Sequence, residues 1–267
     1  MRPRRSPSFG RPTLSESLFS LQGTVAVVTG GARGIGKAAA RALAEHGAGL
    51  LLVDRLEAEL ASTAAELAET GAAVDTLLAD ITADDIGERI RAAAIEAGPV
   101  GVVVNAAGVM VRSAITELTV AELDTLWRVN VRGTVEVTQA LLPQLIERGY
   151  GKIINVGSLG SVRGLERRTG YATSKGAVAQ YTVSLASEAG AYGIRANVVA
   201  PGYVATDMAS PWIYGDADRT ERLRARIPLG QFATPADLAG TFVFLAAPAS
   251  DYVTGQILLV DGGWTTT

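Results

Sequence analysis

The 267-residue sequence predicts a single α/β domain built on a doubly wound parallel sheet of about seven strands flanked by helices. Three observations carry this reading. Seven short runs are read as predominantly apolar rather than alternating, as expected of parallel strands covered on both faces. Longer Ala-rich segments with charges at helical spacing separate these runs. The first run also opens into a glycine-rich turn that leads into a helix. At 48% hydrophobic residues the chain can bury a substantial core.

In chain order, strands are expected at Val25–Thr29, Gly49–Val53, Val74–Ala79, Val100–Asn105, Lys152–Val156, Ala196–Val199 and Ile257–Val260. Helices are expected at 34–46, 56–70, 83–97, 120–148, 172–191 and 235–246. No repeat and no Pro/Ser-rich linker divides residues 21–267, so they read as one dinucleotide-binding-sized unit. One long stretch, 202–233, reads as irregular, with Pro211, Gly215, Pro228 and Gly230 around the charged segment Asp216–Arg226. At the C-terminal edge of a parallel sheet such a loop is expected to form a substrate wall. Residues 1–20 read as a disordered tail. Its Arg2, Arg4, Arg5 and Arg11 come without an apolar stretch, and Pro3, Pro7 and Pro12 interrupt any amphipathic helix, so it is not read as a targeting segment.

Composition removes several chemistries. There is no cysteine, one histidine (His46) and three lysines (Lys37, Lys152, Lys175), which excludes disulfides, thiol nucleophiles and multi-histidine metal cages. No metal site is expected. His46 stands at the end of the first expected helix, where an imidazole caps carbonyls. Acid-base chemistry therefore falls to carboxylates, tyrosine or lysine. The net charge is −3, and beyond the first twelve residues it is 20 basic against 27 acidic side chains, which gives nucleic acid no general attraction. No run approaches the roughly 18 apolar residues of a membrane span, and the lack of cysteine fits a reducing, cytoplasmic setting.

The turn after the first strand reads Thr29-Gly30-Gly31-Ala32-Arg33-Gly34-Ile35-Gly36. Glycines there let backbone N–H groups and a helix N-terminus approach a pyrophosphate, the Rossmann-type arrangement. Gly30, Arg33, Gly34, Ile35 and Gly36 are thus candidate cofactor contacts. The next strand ends in Asp54, 18 residues beyond Gly36, close to the offset of about 20 at which a carboxylate accepts from the adenosine ribose 2′-OH. A carboxylate at that point repels a 2′-phosphate, which favours NAD over NADP. Arg33 and Arg55 are the opposing signal, because either can pair with a phosphate.

Tyr171 and Lys175 lie four residues apart, on one helical face. A neighbouring ammonium lowers a phenol pKa from about 10 toward the range of a general base. With seven tyrosines and three lysines in 267 positions, only about 0.08 such pairs arise by chance. Ser158 precedes Tyr171 by thirteen positions.

Ser158-x12-Tyr171-x3-Lys175, together with Thr29-Gly-x3-Gly-x-Gly36, resembles the short-chain dehydrogenase/reductase family over essentially residues 20–264. Asn105-Ala106-Ala107-Gly108 looks like that family's Asn-Asn-Ala-Gly segment, with Ala106 replacing the second asparagine. The resemblance implies that Asp80 and Ile81 contact adenine, and that Asn105, Ala106 and Gly108 line the cofactor. It implies that Asn130 holds a relay water, and that Pro201, Gly202, Val204 and Thr206 receive the nicotinamide carboxamide. It implies a mechanism in which Ser158 bonds the substrate oxygen, Tyr171 exchanges its proton, and Lys175 holds the ribose while lowering the tyrosine pKa.

The C-terminal strings Ile227–Asp237, Ala249–Gly255 and Val260–Trp264 resemble the branch of gluconate 5-dehydrogenases and 2-deoxy-gluconate 3-dehydrogenases. A sugar acid or polyol is the implied substrate, and Arg112, Arg163, Arg167 and Arg168 are candidates to pair with a carboxylate. Two alternatives stand beside it: a 3-oxoacyl-thioester (acyl carrier protein) reductase, and a non-catalytic NAD(P)-sensing protein. The resemblance also implies a homotetramer, with Ile257 and Trp264 expected at an interface.

Overall fold

The computed structural model describes residues 18–267. Seven strands are present where the sequence places them: β1 Val25–Thr29, β2 Gly49–Asp54, β3 Val74–Leu78, β4 Val100–Asn105, β5 Gly151–Val156, β6 Ile194–Pro201 and β7 Ile257–Val260. All pair in parallel in the order β3-β2-β1-β4-β5-β6-β7. The order reverses direction between β1 and β4, and ligands of such sheets bind in the crevice beyond the strand C-termini at that point. β6 is longer at both ends than expected. β3 departs from the continuous apolar pattern: Asp75, Thr76 and Leu78 are exposed, because an edge strand is covered less completely than its inner neighbours.

The helices are α1 Gly34–Glu45, α2 Glu57–Ala68, α3 Ile86–Ala97, α4 Val120–Leu126, α5 Thr134–Arg148, α6 Thr169–Ala189, α7 Ser210–Tyr214, α8 Ala217–Ala225 and α9 Ala239–Ala246. On one face of the sheet Val28, Leu52 and Val104 pack with Leu43 of α1 and Phe242 and Leu245 of α9. On the other face Val27, Leu51 and Val103 pack with Ile90 of α3 and Leu141 and Leu145 of α5. The expected helix 120–148 is continuous but contains a π-helical stretch, Trp127–Gly133, a feature that often marks functional sites.

One expectation changes. The stretch 202–233 is not irregular throughout, since it contains α7 and α8, and a parallel bridge between Val204 and Ala233 ties its two ends together. Helix α8 buries no residue, so it has no apolar stripe for periodicity to detect; its start is marked by Asp216, which accepts from the Arg219 N–H at 2.6 Å. Of the expected tail 1–20, residues 18–20 fall within the described structure. The Ala249 N–H donates to the Leu18 carbonyl at 3.0 Å and Leu21 is buried in the core, while residues 1–17, with their four arginines, lie outside the described residues. His46 behaves as expected, its Nδ1 within 2.8 Å of the Ala42 carbonyl at the end of α1.

Candidate active site

One cleft runs along the C-terminal ends of β1, β2, β4, β5 and β6. At its base the turn after β1 is held by close backbone packing. Gly30 has φ +67°, and a Cβ there would stand 2.7 Å from the Ala107 nitrogen; one on Gly36 would stand 2.1 Å from the Gly30 carbonyl oxygen. A side chain at either position would displace backbone, so glycine is required for the turn to fold onto α1. This tight cradle at the start of a helix fits the pyrophosphate of a dinucleotide.

Asp54 closes β2 beside that turn. Its Oδ2 accepts from the Ala32 N–H at 3.1 Å, and its Oδ1 accepts from the N–H groups of Arg55 (2.7 Å) and Leu56 (3.2 Å). Arg55 pairs with Asp80 at 3.2 Å, and Arg33 pairs with Asp207 at 3.7 Å. Burial acts to raise the Asp80 pKa, but bonds from the Thr82 amide and hydroxyl and from Arg55 outweigh it and hold the carboxyl below its ordinary value. Gly34, Ile35, Ile81, Ala106, Gly108, Pro201, Gly202, Val204 and Thr206 line the same cleft.

Ser158, Tyr171 and Lys175 meet on the cleft's other wall. Ser158 follows β5 and accepts from the Gly160 N–H at 3.1 Å. Tyr171 and Lys175 project from α6, both buried. Burial pushes the Tyr171 phenol above its ordinary value, while a hydrogen bond with Ser158 and the charges of Arg168 and Arg112 act against that rise. Arg168 and Arg112 are thus two further cations that bear on Tyr171 beside the Lys175 named from the spacing. Lys175 donates to the Val156 carbonyl at 2.8 Å, and burial lowers its pKa to about 8. Ser161, which the sequence reading missed, joins the two parts. Its Oγ accepts from the Ser158 N–H at 3.2 Å and donates to the Lys175 carbonyl at 2.9 Å.

The two asparagines lie behind the cleft rather than on its surface. Asn105 donates to Thr138 Oγ1 (3.0 Å) and Asn155 Oδ1 (2.8 Å), tying β4 to β5 and α5. Asn130, fully buried in the π-helical stretch, accepts from the Val109 N–H at 2.8 Å and donates to the Val109 carbonyl and Ser174 Oγ. A Cβ on Gly108 would stand 3.2 Å from Asn130 Oδ1 and 3.4 Å from Lys175 Nζ, so a side chain there would crowd both.

The four candidate arginines separate. Arg163 donates to the Thr265 carbonyl, and Arg167 pairs with Glu117 at 3.7 Å; neither lines the cleft. Arg112 and Arg168 do line it. Arg168 is buried and donates to the Tyr203 hydroxyl at 2.9 Å. Trp264, expected at an interface, is buried within the chain at the edge of Tyr203, with ring centroids 6.1 Å apart, and it packs with Ile213 and Phe232 of the 202–233 stretch. Ile257 is half-buried against Ala179, Val198 and Ala200. No carboxylate or histidine cluster suited to a metal occurs among the described residues. No helix among them is long and apolar enough to cross a membrane.

Comparison with known proteins agrees with this geometry. Residues 30–265 match a family model described as enoyl-(acyl carrier protein) reductase. The chain is 36% identical over 249 residues to gluconate 5-dehydrogenase of Gluconobacter oxydans, covering 93% of this chain and 97% of that one. It is 40% identical over 258 residues to the L-tagatose-forming galactitol 2-dehydrogenase of Cereibacter sphaeroides, covering 93% and 98%. It superposes with a TM-score of 0.87, at 37% identity, on a solved gluconate 5-dehydrogenase from Burkholderia cenocepacia in complex with NADP and tartrate, covering 93% and 98%. With Ser158, Tyr171 and Lys175 gathered in a dinucleotide cleft on this sheet, the chain belongs to the short-chain dehydrogenase/reductase family of nicotinamide-dependent oxidoreductases acting on alcohols and ketones.

Proposed function

We propose that the protein reversibly oxidises a secondary hydroxyl of a sugar acid or polyol to the ketone, using NAD in preference to NADP. The observation that carries this reading is the meeting of Ser158, Tyr171 and Lys175 on one wall of a cleft that also holds Asp54 and the Gly30–Gly36 turn. Gly30, Gly34 and Gly36 would hold the pyrophosphate, Asp54 the adenosine ribose, Lys175 the nicotinamide ribose, and Pro201–Thr206 the carboxamide. The nicotinamide, when bound, supplies the hydride acceptor or donor.

Ser158 holds the substrate oxygen by a hydrogen bond and so sets its distance from Tyr171. In the oxidative direction Tyr171 takes the hydroxyl proton, and in the reductive direction it returns one to the forming alkoxide. The positive charges of Arg168 and Arg112 favour the phenolate that this requires. The lack of a side chain at Gly108 supports a water-borne link from Lys175 past Asn130 to solvent.

Asp54 supports the choice of NAD, because a carboxylate beside the ribose site repels a 2′-phosphate. Arg33 and Arg55 are each engaged with a carboxylate, though such exposed pairs are weak. The relatives that act on gluconate and galactitol favour this substrate class over an acyl thioester. A cytoplasmic homotetramer completes the reading: the chain lacks cysteine, and Val120, Leu123 and Trp127 expose apolar surface along one side of α4 and the following turn. Light scattering on the eluted protein tests the assembly.

The test of function is absorbance at 340 nm with gluconate and galactitol, each with NAD and with NADP. Turnover of either substrate, with a higher kcat/KM for NAD, is expected. Tight cofactor binding without turnover of any secondary alcohol would make the protein a sensor instead.

A further inference from the structure

Three guanidinium groups surround one indole. The Cζ atoms of Arg112, Arg168 and Arg219 each lie 4.8 Å from the Trp212 ring centroid, so any two are within twice that distance of one another. Ordinary stacking does not account for all three. A ring has two faces, and Trp212 is also stacked with Tyr203 at 6.1 Å and 14°. Among the described residues no carboxylate lies within ion-pair distance of any of the three. The Nε atoms of both Arg112 and Arg219 are buried without a hydrogen-bond partner. Like charges within about 10 Å of one another, two of them with a buried donor left unbonded, leave a positive site whose repulsion an anion would relieve.

The three arginines come from different parts of the chain. Arg112 follows β4, Arg168 immediately precedes α6 three positions before Tyr171, and Arg219 lies on α8 of the 202–233 stretch. Arg112 and Arg168 line the cleft, whereas Arg219 stands outside it and reaches the group through Trp212. The arrangement joins α7 and α8 to the wall that carries Tyr171.

We propose that Arg112, Arg168 and Arg219, assembled on Trp212, form an anion subsite that selects substrates with a carboxylate or other anionic terminus over neutral polyols, with Arg219 as a specificity-determining positioning residue. This rests on the reading of the cleft as an alcohol oxidoreductase site and narrows its substrate class to anions. An anion between Arg112 and Arg168 relieves the repulsion that both exert on Arg219, so the same charge that is recognised also favours seating of α7 and α8.

The test compares Arg219→Gln, Arg219→Lys and, as a control on the exposed side of α8, Arg222→Gln. In NAD-saturated protein, the ratio of kcat/KM for gluconate to that for galactitol is expected to fall about tenfold in Arg219→Gln, through KM rather than kcat. Arg219→Lys should recover part of the loss, and Arg222→Gln should match the parent. Calorimetric titration with malonate, a dianion with no hydroxyl to oxidise, provides a readout independent of turnover. Malonate should bind the parent and bind Arg219→Gln several-fold more weakly. Equal losses for gluconate and galactitol, or no malonate binding to a parent that turns over alcohols, would overturn the subsite and leave the reaction intact. Arginine-dependent malonate binding in a protein that oxidises neither alcohol would support the subsite and remove the reaction.

Discussion

Asp54 Oδ2 accepts a hydrogen bond from the Ala32 N–H at 3.1 Å, so the carboxylate that faces the ribose site also braces the glycine-rich turn. Its other oxygen accepts from Arg55 and Leu56. An ionised carboxylate has about four acceptor sites, which leaves capacity for a ribose hydroxyl but an unfavourable charge for a phosphate. Asp54→Ala is expected to shift the ratio of kcat/KM for NADP to that for NAD upward by about tenfold, or ~1.4 kcal/mol. It should also lower the melting temperature, because the Ala32 and Leu56 amides lose an acceptor. An unchanged cofactor ratio would remove Asp54 from nucleotide selection.

Gly36→Ala tests the cradle itself. The added carbon would stand 2.1 Å from the Gly30 carbonyl oxygen, which belongs to backbone and has no rotamer to yield. Strain of this kind costs about 1–3 kcal/mol, and relief can come only by opening the turn. NAD affinity, followed by fluorescence of the bound reduced cofactor, should fall at least about tenfold. Gly164→Ala, where a Cβ meets nothing within 4 Å, should leave affinity unchanged.

Tyr171→Phe isolates proton transfer. The ring stays buried on α6 and only the hydroxyl that bonds Ser158 is lost. General acid-base groups contribute roughly 10²–10⁴ in rate, so kcat should fall by that order while the cofactor dissociation constant stays within a few-fold. Retained turnover would transfer the proton to another group.

The sheet was legible in the sequence because β1, β4 and β5 are buried on both faces and therefore read as largely apolar, non-alternating runs, interrupted by Asn105, Lys152 and Asn155. The glycine turn and the Tyr171–Lys175 pair were legible because each is a local spacing. What escaped was of two kinds. Helix α8 lies on the surface with no buried residue, so its charged sequence carries no helical stripe. The group of Arg112, Arg168, Tyr203, Trp212 and Arg219 joins residues more than a hundred positions apart, and only the strand order brings them together. Spacing sets which helix face a side chain shares, whereas the nearby Val156 carbonyl decides where the Lys175 ammonium bonds.

The shifted lysines and tyrosines predict how the stability of the fold changes at alkaline pH. Burial lowers Lys175 to about 8. Lys152, fully buried in β5, is also lowered by burial to about 8, although Asp251 and Ser250, each 2.9 Å from its Nζ, hold the charged form. An unfolded lysine titrates near 10.4. Between about pH 8 and 10 the unfolded chain therefore binds more protons, and stability should rise with pH by up to about 1.4 kcal/mol per unit for each lysine. Burial raises the phenols of Tyr150, Tyr171 and Tyr181 above their ordinary value of 10.0. For them the sign is opposite: above about pH 10 the unfolded phenols lose protons first, and stability falls. The urea midpoint should thus climb from pH 8, peak near pH 10 and then decline. Lys152→Met, which keeps the volume but not the amine, should flatten about half of the climb without moving the decline. A midpoint that falls steadily from pH 8 would show that neither lysine is held at a depressed pKa in the folded chain.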